Sequence, residues 1–383
     1  MHHHAPILTR RQAAALFGAL ALPGAAAAEP GVGADTLTVG QSITLQGGKN
    51  LVGVAVHEGV RLQLDAVNAA GGVNGRRIVL RTLDDDNSSQ RAAANARQLV
   101  QEGVFMLFGS IEGGPSTAVA EVASTARVPF FGPMAGSPSL RRPHQEMVFP
   151  VRAEHREEFR ELLRYGHSLG LRTAAFFHSD TDVGRAHLAN VRLLCDELGL
   201  QLTLPLAAKS GLADADIDTM ARQIAATQPG LCFNHGSIGP YGKLVALVRR
   251  AGARTLMMAV NSGSTELARS LGTLAHGMVF TQVVPSPWER KHAITREYQE
   301  ALRRARPDAD FSYGGLEGFL TAKALVLALR AAGTAPTRAS LLAGLQGLQA
   351  DLGGLRLRFR PGDHEGAKYV DLAIFGKDGR FIH

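Results

Sequence analysis

Val104-Phe105-Met106-Leu107-Phe108-Gly109-Ser110-Ile111-Glu112-Gly113-Gly114-Pro115-Ser116-Thr117 is the stretch whose reading decides the fold. Val104 to Phe108 is a short apolar run suited to a strand buried on both faces. It stops at Gly109 and opens into a loop of small residues. Ala118 to Ala123 then carries apolar positions spaced for one packed helical face. Val128-Pro129-Phe130-Phe131 reads as a second short strand, and Gly132-Pro133-Met134-Ala135-Gly136-Ser137-Pro138 as a second flexible loop. Strand, loop, helix, strand, loop is a right-handed parallel crossover with both loops at one edge of a sheet. In open parallel sheets that edge is where ligands sit. Gly113-Gly114-Pro115 puts proline where a first helical turn tolerates it and leaves backbone N–H groups bare. Such a helix start attracts a carboxylate or another acceptor. One loop of this kind reads as an ordinary turn; two on successive strands, with Glu112 inside the first, point to a binding edge.

Working outward, the alternation continues in both directions. Thr36 to Gly40 is a strand that ends in a polar loop, Gln41 to Asn50. His57 to Ala70 is an amphipathic helix closed by Gly71-Gly72, Arg77 to Leu83 a second strand, and Gln90 to Gly103 a further helix. Asp84-Asp85-Asp86 lacks the glycine and closing glutamate of a calcium loop, so capping and turn formation explain it better. Past Pro150 the pattern restarts. Helices are expected at 154–169, 185–198, 216–227 and 241–251, and strands at 172–178, 200–206, 231–234 and 255–260. Small polar loops again follow the strands: Ser179 to Gly184, His235 to Pro240 and Asn261 to Ser264. Extended Gly277 to Val284 leads to Pro285-Ser286-Pro287, helices at 293–304 and 316–332, and strand-like ends at 355–359 and 369–375. The fold class is α/β, with two doubly wound, Rossmann-like units.

The chain has 383 residues, 45% hydrophobic and 20% charged, enough for two domains with separate cores. Net charge is +7, spread without a basic run interleaved with aromatics, so nucleic acid is not an expected partner. Residues 1–28 read as an export signal: Arg10-Arg11, an apolar stretch from Ala13 to Leu22, and Ala26-Ala27-Ala28 before Glu29. Thr9-Arg10-Arg11-Gln12 hints at the twin-arginine route, with an ordinary Sec signal as the rival. Cys195 and Cys232 are expected as buried free thiols, and no histidine is spaced to complete a metal site with them.

The order of elements resembles the type I periplasmic solute-binding proteins of ABC importers, in the leucine/isoleucine/valine-binding family. Val67-Asn68-Ala69-Ala70-Gly71-Gly72-Val73-Asn74-Gly75-Arg76, Asp84-Asp85, Val128 to Pro133, Thr281 to Trp288, Gly315-Leu316-Glu317-Gly318-Phe319 and Tyr369-Val370-Asp371-Leu372 carry the likeness. It covers nearly all of residues 36–383. The resemblance implies two lobes joined by a three-segment hinge: 36–150 plus 285–353, and 151–284 plus 354–383, with crossings near Pro150, Pro285 and Gly353. It also implies a periplasmic monomer that traps a small solute between its lobes and hands it to an ABC permease at the inner membrane. The same fold serves periplasmic sensor subunits, which is the alternative; an enzyme using the cleft ranks below both. Expected ligand-binding residues are Glu112, Gly113, Gly114, Ser116, Met134, Ala135, Gly136 and Ser137 in the first lobe. Asp182, Val183, Ser237 and Asn261 are expected in the second. Family members that bind aliphatic amino acids carry an aromatic where Val183 stands and an acid near Asn261. Neither occurs here, which favours a small carboxylic acid or amino-acid derivative with a second polar group.

Catalytic signatures do not assemble. There is no G-x-S-x-G elbow and no H-E-x-x-H helix. Gly242-Lys243 lacks the rest of a phosphate loop, and Gly31-Val32-Gly33 precedes its strand instead of following it. Asp180 and Asp182 read as loop aspartates and His178 as a hydrogen-bonded core residue. No catalytic residue, cofactor or metal is expected.

Overall fold

The computed structural model describes residues 1–2, 29–46 and 50–383. The expected export signal, apart from Met1 and His2, lies outside the described residues. The first lobe begins with β1 (Thr36–Ile43), α1 (Leu51–Ala69), β2 (Arg77–Asp84), α2 (Ser89–Gln101) and β3 (Met106–Phe108). It continues with α3 (Gly113–Ala126), β4 (Phe130–Phe131) and β5 (Val148–Phe149). These strands form one parallel sheet in the order β2-β1-β3-β4-β5. The second lobe repeats the design. It runs α4 (His155–Ser168), β6 (Thr173–Ser179), α5 (Asp182–Leu198), β7 (Gln201–Ala208), α6 (Asp214–Thr227) and β8 (Leu231–His235). Then come α7 (Ile238–Arg250), β9 (Leu256–Ala259), α8 (Ser264–Leu271) and β10 (Val279–Gln282). The chain returns to the first lobe for α9 (Ala293–Ala305), α10 (Tyr313–Ala331), α11 (Arg338–Gln346) and the hairpin β11 (Gln349–Asp351) with β12 (Arg356–Arg358). It ends in β13 (Asp371–Phe375) and β14 (Phe381–Ile382), antiparallel additions to the second sheet, whose order is β14-β13-β10-β9-β8-β6-β7.

The two parallel cores therefore share one doubly wound order, with switch points between β1 and β3 and between β6 and β8. Each sheet is apolar on both faces, because helices cover both. In the first lobe, α1, α9, α10 and α11 pack on one face through Val56, Val60, Ile294, Leu316, Leu325 and Leu341. Residues of α2 and α3, including Leu99, Val119 and Ala123, pack on the other. In the second lobe, α6, α7 and α8 cover one face, α4 and α5 the other. The glycines of the Gly315 to Phe319 motif let α10 approach α1: a Cβ on Gly318 would lie 2.1 Å from the Val56 carbonyl oxygen.

Several boundaries differ from the sequence reading. β1 runs on to Ile43, past the Gly40 at which the sequence pattern ends the strand. Gln41 is buried, and its amide donates to the Gly109 carbonyl, so a polar side chain sits inside the strand. Leu355, Leu357 and Phe359 pack in the first lobe's core, beyond the Gly353 at which the sequence reading puts the last crossing. The aspartate run forms turns, as expected, but the cap of α2 is Ser88 and not an aspartate. Asp84 accepts from the Leu45 and Asp86 amides, and Asp85 from Thr44, Ser42 and the Asn87 amide. Cys195 and Cys232 are buried and free, and burial pushes their thiols up to about 11 and about 12. His178 is buried and stacked on Phe176, with Nδ1 at 3.0 Å from the Ser179 carbonyl. Among the described residues no helix is long and apolar enough to cross a membrane.

Candidate ligand-binding site

A cavity of about 290 Å³ lies at the seam of the lobes. Residues that follow the carboxyl ends of strands line it: Ile111 to Gly113 after β3, Met134 to Ser137 after β4, Arg152 after β5, His235 to Ser237 at β8, and Val260 to Gly263 after β9. Val52 and Val56 of α1, His155 of α4, Val183 and His187 of α5, and Glu317 of α10 complete the wall. The cleft is closed over this space. α5 meets the turn Pro138–Leu140, and the His155 amide donates to the Gly136 carbonyl across the lobes.

Of the expected residues, Glu112, Gly113, Met134, Ala135, Gly136, Ser137, Val183, Ser237 and Asn261 are brought together on this wall. Gly114, Ser116 and Asp182 are not. A Cβ on Gly114 would meet Ser89 Oγ at 2.7 Å, so this position faces α2. Ser116 is buried behind the loop, its Oγ within 2.7 Å of Ser110 Oγ and donating to the Ile111 carbonyl. Asp182 is exposed on the first turn of α5 and pairs with Arg185 at 2.6 Å. The open glycine is Gly113, where an added Cβ would find only Ser137, at 3.7 Å.

Local chemistry explains the loop shapes. Glu112 turns the chain from β3 into α3 with φ +62, a conformation that costs a non-glycine residue energy and recurs at functional sites. Asn50 caps α1 and also donates to the Glu112 carboxylate at 3.2 Å. No side chain caps α3, α7 or α8, so their N-termini leave N–H groups at the cavity edge, although the first N–H of α8, on Ser264, is taken by the Asn261 carbonyl. The N-terminus of α5, by contrast, is capped by Thr181. Arg141, buried, donates to the carbonyls of Ala135, Ser137 and Arg152 and so fixes the second loop from behind.

Sequence reasoning missed a buried polar network that crosses the seam. Arg152 donates to the Asn261 side chain at 2.8 Å, sits 3.3 Å from Glu158 and lies 3.4 Å from Glu317 of the first lobe. Glu158, wholly buried, accepts from the Asn261 amide at 3.0 Å, from Thr281 Oγ1 at 2.5 Å and lies 2.8 Å from His155 Nδ1. Burial opposes its charge, yet His155, Arg152 and these donors overcome it and hold the carboxyl at about 2. Glu317 moves the other way: burial raises it, Arg152 opposes and Glu158 adds to the rise. His187 is fully buried beside His235, ring centres 3.8 Å apart, and beside Phe159 at 5.4 Å. Burial, then the neighbouring His155, pushes His187 down to about 2; burial and the other two histidines push His235 well below its ordinary value. Despite the histidines, no group of His, Cys, Asp and Glu among the described residues is arranged to hold a metal ion.

Two doubly wound lobes, three chain crossings and a cavity between facing carboxyl edges define a two-lobed solute-binding architecture. The family model described as periplasmic binding protein matches residues 36–380. The chain belongs to that family, as a type I member of the Leu/Ile/Val-binding group. It is 29% identical over 113 residues to Leu/Ile/Val-binding protein homolog 3 of Brucella melitensis, 30% of this chain and 31% of that one. It is 21% identical over 277 residues to the leucine-, isoleucine-, valine-, threonine- and alanine-binding protein of Pseudomonas aeruginosa, 70% of this chain and 71% of that one. The chain thus spans about a third of the length of the first relative and over two thirds of the second. The crystal structure of a possible leucine/isoleucine/valine-binding protein from Rhodopirellula baltica superposes with a TM-score of 0.80 at 26% identity, covering 91% of this chain and 97% of that one.

Proposed function

We propose that this protein is the extracytoplasmic solute receptor of an ABC importer, exported to the periplasm, and that its ligand is a small carboxylic acid. The observation that carries the ligand class is the field at the cavity. Arg152 and His155 sit against Glu158, and Arg152 also lies 3.4 Å from Glu317, so these cations and carboxylates offset one another. Besides the Glu112 carboxylate, which accepts from Asn50, what remains facing the space is the uncapped N-termini of α3, α7 and α8, each equivalent to roughly half a positive charge. An ammonium group would meet no free carboxylate deep in the second lobe, since Glu158 already has four partners. That argues against a plain leucine-like ligand, as do Val183 and Asn261.

Closure of the lobes around such an acid buries it and gives a permease a means to tell loaded from empty protein. The role is binding without turnover. The test is mass spectrometry of small molecules released from purified, denatured protein, followed by a thermal screen of aliphatic and polar amino acids, aromatic acids, hydroxy acids and amides. A cognate acid at a hundredfold excess over its Kd stabilises the folded state by about 2.7 kcal/mol, a shift the screen resolves. Leucine or valine giving the largest shift would sink the ligand class. Chemical conversion of the bound molecule would sink the receptor role.

A further inference from the structure

Among the described residues, His187 is the one wholly buried cavity residue whose side-chain polar atoms both lack a partner. Its Nδ1 and Nε2 make no hydrogen bond, and neither does Nδ1 of His235 beside it. His155 differs, because its Nδ1 is engaged with Glu158. The three rings form a compact cluster, with His155 and His187 centres 5.4 Å apart and His155 and His235 centres 4.4 Å apart. Phe159 closes the cluster from behind, 5.4 Å from His187 and 6.1 Å from His235. All three histidines also line the cavity. Buried nitrogens without partners are costly, and sites carrying them are completed by something that bonds there.

Resting on the carboxylate reading above, we infer that His187 and His235 form a second subsite. It selects an acid that carries, away from its carboxylate, a neutral group able both to donate and to accept a hydrogen bond, a hydroxyl first of all. Burial keeps both imidazoles neutral at pH 7, and a neutral imidazole presents one N–H and one bare nitrogen. A hydroxyl, with one proton and two lone pairs, answers both. An ammonium only donates, and the carboxylates beside the cluster are already paired: Glu158 with Arg152 and His155, Glu317 with Arg152. The remaining cavity carboxylate, Glu112, belongs to the loop after β3 and accepts from Asn50. A second carboxylate only accepts, and would bring its charge against the Phe159 ring without a counter-ion. Sites built to bond a hydroxyl discriminate strongly against the analogue that lacks it, because the unbonded polar atoms stay buried.

The experiment measures Kd by calorimetry for matched probes: benzoate against para-hydroxybenzoate, and butanoate against gamma-hydroxybutanoate and gamma-aminobutanoate. The readout is the ratio of Kd values within a set, in wild type, in His187→Phe and in His235→Phe. Both variants keep an aromatic ring in the cluster while removing its nitrogens, and circular dichroism with a melting curve checks each fold. In wild type at least one hydroxylated acid should bind about tenfold or more tighter than its parent, and the amino analogue should gain nothing. In His187→Phe that ratio should fall towards one, and His235→Phe reports the same ratio should His187→Phe misfold. Acids that bind without regard to the hydroxyl, or a ratio that survives in the folded variants, would overturn the subsite and leave the carboxylate reading standing. If none of these acids binds at millimolar concentration, the carboxylate reading falls and takes the subsite with it.

Discussion

Glu158→Gln should cost about 3 kcal/mol of stability at neutral pH. The side chain is wholly buried, and its carboxyl is held at about 2 against an ordinary glutamate value of 4.5. That difference corresponds to about 3 kcal/mol of stabilisation by linkage. A buried ion pair that loses one partner gives up to about 3–5 kcal/mol by a separate route, because Arg152 loses its nearer carboxylate and keeps only Glu317, at 3.4 Å. The two figures agree. The sign follows from a folded-state value depressed below the unfolded one. The contribution is complete above the unfolded value near 4.5 and is lost as pH falls towards 2. Urea unfolding of wild type and variant from neutral pH down to pH about 3 reads both features. Asp65→Asn, which breaks the exposed Arg61–Asp65 pair, is the control and should cost under about 0.5 kcal/mol. A Glu158→Gln loss no larger than the control, or a gap that does not narrow on acidification, would refute the account of this network.

Three further outcomes follow from particular contacts. Gly136→Val places a Cβ 2.7 Å from the His155 ring and 2.8 Å from its backbone nitrogen. Closure is then obstructed, and solute affinity should drop about tenfold or more, with circular dichroism unchanged. Ser116→Ala removes the bonds to Ser110 and the Ile111 carbonyl, so chemical denaturation should show a loss of about 1 kcal/mol while calorimetric Kd stays put. Cys195 and Cys232, with thiols pushed up by burial to about 11 and about 12, should resist a thiol reagent at pH 8 in native protein. Both should react fully in denaturant, and fast native labelling would contradict their placement.

The fold was legible because buried parallel strands write themselves as short apolar runs that stop at glycine or a polar residue. Met106 to Phe108, Thr173 to Ser179 and Leu231 to His235 all do this. Elements that break the habit were not read. α8 has only eight residues and starts among serines and glycine, and α11 has nine, wedged between Pro336 and Gly347. Short helices lean on tertiary packing more than on local propensity, as Leu267 and Leu341 in the two cores show.

The site was legible where a loop alone sets the geometry, and illegible where side chains converge. Residues after strand ends must lie at the sheet edge, so Gly113, Met134 to Ser137, Ser237 and Asn261 could be read from topology. Within a loop, orientation is fixed by turns of about 100° per residue once the helix begins. That rotation takes Gly114 round to Ser89 and folds Ser116 back against Ser110. The cluster of Arg152, His155, His187 and Glu317 has no local signature, since it draws on a crossing segment and three helices from two lobes. A trace was present all the same. Glu317 stands between Leu316 and Phe319 in a helix that is otherwise nearly all apolar and buried. Glu158 likewise occupies the buried stripe of α4 beside Phe159 and Leu162. A charged residue on a buried stripe requires a counter-charge at hydrogen-bonding range. For both glutamates that counter-charge is Arg152, the residue that ties α10 of one lobe to α4 of the other at the base of the cavity. Ligand charge, lobe closure and stability are therefore coupled through one guanidinium, and Arg152→Met should weaken solute binding and lower stability together, whereas Gly136→Val separates them.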